Sequence, residues 1–249
     1  MTKQVNTFKS ASSGSSASLA KSVTSGGTQP TIDGTPATNA WSGLTTATVT
    51  VSTTSASKIL LVLLGYEHPT GTTIAVSSVT SPGLSFTHYA NIFNSGANGA
   101  NSYIDVWWAP LSGALSSAVV TATFSPAFDD MGITAFGVIH ANPSTPFDDG
   151  GSTGLPALAA AAGAEITTPT LTAAAKDLLI CIQGKATSGL PGTPTSFTSI
   201  ATNSNSAGVK FWFDRTASLG APTGFSGTVT SSGLSGTPGC MAVLALVAD

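Results

Sequence analysis

Apolar and polar residues alternate with a period of two over much of the chain. Ala47, Val49 and Val51 alternate with Thr46, Thr48 and Thr50, the pattern of a strand with one buried face. Val209, Phe211 and Phe213 alternate with Lys210 and Trp212 in the same way. Transferring that register to the similar segment in the first half puts Ile104, Val106 and Trp108 inside and Asp105 and Trp107 outside. The run Ile59–Leu64 does not alternate and predicts a central strand covered on both faces. Clusters of Gly, Pro, Asn and Ser punctuate the pattern. They predict first-half strands over 44–51, 58–66, 74–80, 84–93, 102–109, 117–125 and 131–140. Leu155–Ala164 shows no amphipathic stripe and contains Pro156 and Gly163, so it reads as a linker.

The same series of segments occurs twice. Ser57–Leu64, Ser85-Phe86-Thr87, Val106-Trp107-Trp108, Thr121-Ala122-Thr123 and Phe136–Ile139 appear in the first half. Ala175–Ile182, Ser196-Phe197-Thr198, Phe211-Trp212-Phe213, Thr228-Val229-Thr230 and Leu244–Val247 repeat them in order, with spacings that differ only by loop-sized amounts. The expected fold is therefore all-β: two tandem, internally duplicated antiparallel β-sandwich modules, Ig-like or jelly-roll-like, behind an extended N-terminal arm. Residues 1–40 are assigned to the arm, 41–145 to module 1, 146–165 to the linker and 166–249 to module 2.

Composition changes this picture in one respect. Charged residues make up 8% of the 249 positions, against roughly 25% in an ordinary soluble domain. Hydroxyls and amides fill the surface instead, and these pair with a neighbour without the desolvation cost of a charge. Residues 1–29 carry Lys3, Lys9 and Lys21 and no acid, which suits an arm steered toward an acidic protein surface. Three lysines are too few for a nucleic-acid footprint. No apolar run reaches the length of a membrane span, and residues 10–29 lack an apolar signal core, so synthesis and folding in the cytoplasm are expected. Cys181 and Cys240 read as buried free thiols, and the repeat aligns Cys181 with Leu63.

Candidate chemistry is sparse. Glu67-His68 and His140 end predicted strands and read as loop residues rather than as a rim site with a third ligand. Asp129-Asp130 and Asp148-Asp149-Gly150 offer oxygens to a calcium ion or, equally, form ordinary tight turns. No nucleophile elbow or phosphate loop is present, so no catalytic, metal or cofactor residue is assigned. Trp107 and Trp212 occupy equivalent positions. They fit a sugar-stacking platform, a protein anchor or packing between modules, with packing or subunit contact preferred. Trp41 is expected to pin the arm to the body. The candidate partner-binding residues are thus Lys3, Lys9, Lys21, Trp41, Trp107 and Trp212.

Five segments carry a resemblance. Ser57–Leu63, Ser85-Phe86-Thr87, Val106-Trp107-Trp108-Ala109-Pro110, Thr121-Ala122-Thr123-Phe124-Ser125 and Asn142–Asp148 together resemble the Ser/Thr/Gly-rich Ig-like β-sandwich structural proteins of tailed-bacteriophage virions, over most of 43–249. The resemblance implies a non-enzymatic virion component assembled in the host cytoplasm. A capsid decoration (cement) protein bound through its N-terminal arm and a sandwich face is expected first, with a tail or fibre protein or a carbohydrate-binding adhesive module as the alternative. Its partners would be capsid or other virion subunits, with homo-oligomers and a host glycan also in view, and it would need no cofactor.

Overall fold

The computed structural model describes residues 27–69, 74–95, 100–148, 155–174, 176–185, 192, 194, 196–202, 210–215, 224–234, 236 and 238–249. Every element among them is a strand. In module 1 these are β1 (Thr31–Ser42), β2 (Thr46–Val51), β3 (Ser57–Pro69), β4 (Ala75–Thr80), β5 (Thr87–Ser95), β6 (Ala100–Pro110), β7 (Ala118–Ser125) and β8 (Asp130–Ile139). Strand β1 pairs with β8, β2 with β7 and β3 with β6, all antiparallel. A long hairpin rolled up from its open end produces this nesting, so the jelly-roll half of the expectation describes the topology better than the Ig half. The pairs close into a five-stranded sheet, β1-β8-β3-β6-β5, and a three-stranded sheet, β2-β7-β4.

Module 2 contains β9 (Ala157–Ala161), β10 (Glu165–Thr167), β11 (Leu171–Ala173), β12 (Leu178–Lys185), β13 (Thr198–Thr202), β14 (Lys210–Arg215), β15 (Phe225–Gly227), β16 (Thr230–Ser232) and β17 (Gly239–Leu246). Its five-stranded sheet runs β9-β17-β12-β14-β13, the same order as in module 1 when equivalent strands are matched. Two short ribbons, β10-β16 and β11-β15, stand where module 1 has β2 and β7.

The two five-stranded sheets pack face to face. Ile59, Leu61, Leu63, Ile104, Val106, Phe136 and Val138 meet Leu178, Ile180, Ile182, Ala242, Leu244 and Leu246 in one apolar layer. On its other face each sheet covers its own sandwich core: Leu60, Val62 and Leu64 in module 1, Leu179, Cys181 and Val243 in module 2. This explains the missing alternation in Ile59–Leu64, because both faces of β3 are buried, and module 2 covers one of them. Polar bonds fix the orientation. Asn94 Nδ2 donates to the carbonyls of Ala161 (2.7 Å) and Gly239 (3.1 Å), and Cys240 Sγ donates to the Ser102 carbonyl (3.1 Å). A Cβ on Gly184 would lie 3.3 Å from Ser102 Oγ, so this close approach favours glycine.

Four expectations are corrected. Residues 31–40 are not an arm: they form most of β1, which hydrogen-bonds β8, buries Asp33 and packs Ile32 and Ala37. A composition of small and hydroxyl residues conceals this edge strand because few large apolar side chains mark it. Residues 157–161 are not linker but the edge strand β9, and Phe147 stacks on Tyr89 with ring centroids 3.5 Å apart. The repeat alignment slips by one residue. Leu61 lies opposite Phe136 and Trp108, whereas Ile180 lies opposite Leu244 and Phe213, so the counterpart of Cys181 is Val62, not Leu63. Lys58 and Lys176 are superficially equivalent, but Lys176 sits in a turn at φ +69° and β3 has a bulge at Ser57/Ile59. A one-residue slip exchanges the faces of a strand, and here it exchanges two cores. Finally, Asp105 and Trp107 do not face outward. They face the interior of module 1, where Asp105 is 4% exposed and Trp107 packs partly buried against the sandwich core.

Candidate ligand pocket

The two edges of the module 1 sandwich differ. On one side β1 reaches across to β2: Trp41 Nε1 (2.9 Å) and Asn39 Nδ2 (3.1 Å) both donate to the Thr48 carbonyl and close the seam. Trp41 thus ties β1 to the outer sheet. On the other side, among the described residues, β4 pairs with β7 alone and β5 with β6 alone. Between them lies a cavity of about 400 Å³.

Its walls follow from strand periodicity. Tyr103, Asp105 and Trp107 alternate along β6 and share one face, Tyr66 joins them from β3, and His88 and Phe93 come from β5. Ile74 and Val76 form an apolar lip. Asp105 is the polar hub. Its Oδ2 accepts from Tyr66 Oη at 2.5 Å and its Oδ1 pairs with His88 Nε2 at 2.8 Å. The bulge between His88 and Ala90 sets the register that brings the imidazole there. The hydrogen bond to Asp105 holds the His88 pKa above its ordinary value despite the opposing effect of burial. Burial, then the Asp105 charge, pushes the Tyr66 phenol upward, so it remains a donor. Tyr66 stacks on Tyr103 (4.9 Å, 3°), Tyr103 on Phe93 (5.0 Å, 26°), and His88 lies tilted against Trp107 (4.9 Å, 52°). The indole Nε1 of Trp107 is buried and finds no acceptor among the described residues. The arrangement offers aromatic faces beside a neutralised ion pair, in a concave site with few polar groups.

The other candidates are scattered. Glu67 lies within β3, opposite Asp130, not in a loop as expected. Burial, followed by the charge and hydrogen bond of Asp130 and the charge of Asp129, pushes its carboxyl up to about 8. Ser42 Oγ donates to Asp130, and His68 Nδ1 is 3.7 Å from Asp129. His140 follows the far end of β8, ten residues or about 30 Å away. Glu67-His68 and His140 are therefore not one rim site. Asp148 approaches the fully buried Asp177, whose carboxyl is pushed up to about 7 by burial and then by Asp148. Asp149 and Gly150 lie outside the described residues. Among the described residues no group of three or more His, Cys, Asp or Glu is arranged to hold a metal ion. Cys181 and Cys240 are buried free thiols, and burial raises both thiol pKa values.

Of the sequence-selected residues, Trp107 alone lines the pocket. Lys3, Lys9 and Lys21 lie outside the described residues. Trp212 has its backbone opposite Cys181, and its side chain lies outside the described part. Sequence reasoning missed Tyr66, His88, Phe93, Tyr103 and Asp105 as a group. The signal available was the i, i+2, i+4 series Tyr103, Asp105, Trp107. Comparison with known proteins returns no matching family model, no matching curated protein and no matching solved structure.

Proposed function

We propose that this chain is a non-enzymatic structural protein of a bacteriophage virion, a capsid decoration protein that docks through a sandwich face. The observation that carries the reading is the outer face of β2-β7-β4. Thr46 and Thr48 on β2 stand opposite Thr123 and Thr121 on β7, Thr80 on β4 extends the row, and Val119 is 45% exposed among them. This face carries no charge. Its hydroxyls hydrogen-bond a neighbouring subunit without stripping water from ions. Rolled β-sandwiches serve in viral capsids and lectins alike, which supports the assignment by analogy of fold. The double sandwich supplies a rigid body behind the face.

The test is incorporation. Thr48→Lys and Thr121→Glu place charges on the outer face without touching a core. Each is expected to cut the amount of protein on purified particles at least tenfold while the soluble protein stays folded. Undiminished incorporation of both variants refutes docking through this face. A second reading, a tail-fibre or adhesive module that contacts host carbohydrate, is favoured by the separate observation of the module 1 pocket.

A further inference from the structure

We infer that the module 1 pocket binds a single neutral pyranose residue, a reading that deepens the adhesive alternative and stands independently of the docking face. Charge narrows the class first. Asp105 and His88 are the ionisable groups at the pocket wall other than the tyrosines, and they face each other at 2.8 Å. An anionic guest meets the Asp105 carboxylate, and a cationic one must displace His88 from it. A neutral guest disturbs neither.

Polarity narrows it further. The pocket wall presents the exposed Asn91 and the His88 ring, with 38% of its side chain exposed. A hydrocarbon or lipid tail would strip water from the Asn91 amide and the exposed edge of the His88 ring and return no hydrogen bond. The guest must therefore carry hydroxyls or similar neutral polar groups toward that side. It must also present an apolar face, because Phe93 stands 50% exposed and continues the ring stack of Tyr103 and Tyr66. A pyranose combines the two: axial C–H groups on one face and hydroxyls around the rim. A cavity of about 400 Å³ at the small end of ligand pockets holds one ring rather than a chain.

The experiment titrates the full-length chain with methyl glycosides of glucose, galactose, mannose and N-acetylglucosamine. Glucuronate and octanoate serve as comparators. Binding is read by tryptophan fluorescence and saturation-transfer NMR. At least one neutral glycoside is expected to saturate in the millimolar range. Phe93→Ala, which removes an exposed ring, is expected to weaken it at least tenfold, and Asn91→Ala, which removes the exposed amide, three- to tenfold. Near-UV circular dichroism confirms that each variant is folded. Saturation by no glycoside, tighter binding of glucuronate or octanoate, or unchanged affinity in folded Phe93→Ala overturns the inference. Loss of sugar binding with normal particle incorporation would leave the decoration reading standing, and the converse result would leave the pocket.

Discussion

Leu60 and Leu61 are consecutive in β3, both fully buried, and they face different cores. Leu60 packs inside the module 1 sandwich and Leu61 in the layer shared with module 2. Truncating either to alanine removes three carbons, about 2.4 kcal/mol of transfer free energy at about 0.8 kcal/mol each. The cavity left in a close-packed interior raises the total to about 3–4 kcal/mol. The expected outcome is that Leu60→Ala and Leu61→Ala cost the same. In a sheet with one face in solvent, the outward leucine would cost under about 0.5 kcal/mol. Urea unfolding, followed by tryptophan fluorescence and far-UV circular dichroism, measures both variants. Each should shift one common transition, and thermal midpoints should fall by about 6–16 °C for a chain of this size. If Leu61→Ala costs under about 1 kcal/mol while Leu60→Ala costs three times more, the shared layer does not exist in solution. Two separate transitions, only one of them moved by Leu61→Ala, would say the same.

Two further outcomes follow from other parts of the molecule. Glu67 and Asp177 have folded pKa values of about 8 and about 7, against ordinary values of 4.5 and 3.8. Between those limits the folded protein holds protons that the unfolded chain releases, so stability falls as pH rises from about 4 to about 8. The melting temperature should be higher at pH 5 than at pH 8, and Glu67→Gln should flatten part of that slope; a midpoint that climbs toward pH 8 contradicts the buried carboxyl pairs. Gly137→Ala drives a Cβ into Ser57 and Thr53, beside the bond that Ser57 Oγ donates to Asp33 (2.7 Å), and should cost about 1–3 kcal/mol in urea titration. Gly113→Ala, with open space around it, is the control and should be near neutral.

Period-two patterning made most of module 1 legible. The strands predicted over 58–66, 102–109 and 117–125 are β3, β6 and β7 to within a few residues, because each contains enough β-branched or aromatic side chains to mark its buried face. Strands β1 and β9 were illegible for the opposite reason. Thr31–Ser42 and Ala157–Ala161 are built from small residues, and as edge strands they need fewer large side chains to hold their place. The slip between Leu63 and Cys181 shows a different limit. In a run that is apolar on both faces, composition does not reveal which residue looks which way, and the register comes only from the paired strands. The pocket was hardest to read. His88, Asp105 and Tyr66 are distant in sequence, and a bulge, which leaves no composition signal, aligns the first two. Asp105 also lies on the face that simple alternation assigned to solvent.

Strand β6 has one further consequence. Its odd-numbered residues Tyr103, Asp105 and Trp107 shape the module 1 cavity, while the alternate residues Ile104, Val106 and Trp108 are clamped against the other module. Cavity wall and structural joint are therefore the obverse and reverse of a single ribbon. If the sugar proposal holds, a guest would meet walls already set in place and spend little of its affinity on ordering them. Changes in the shape of the cavity would fall mainly to the rim contributed by β4 and β5, where side chains change without loosening the joint.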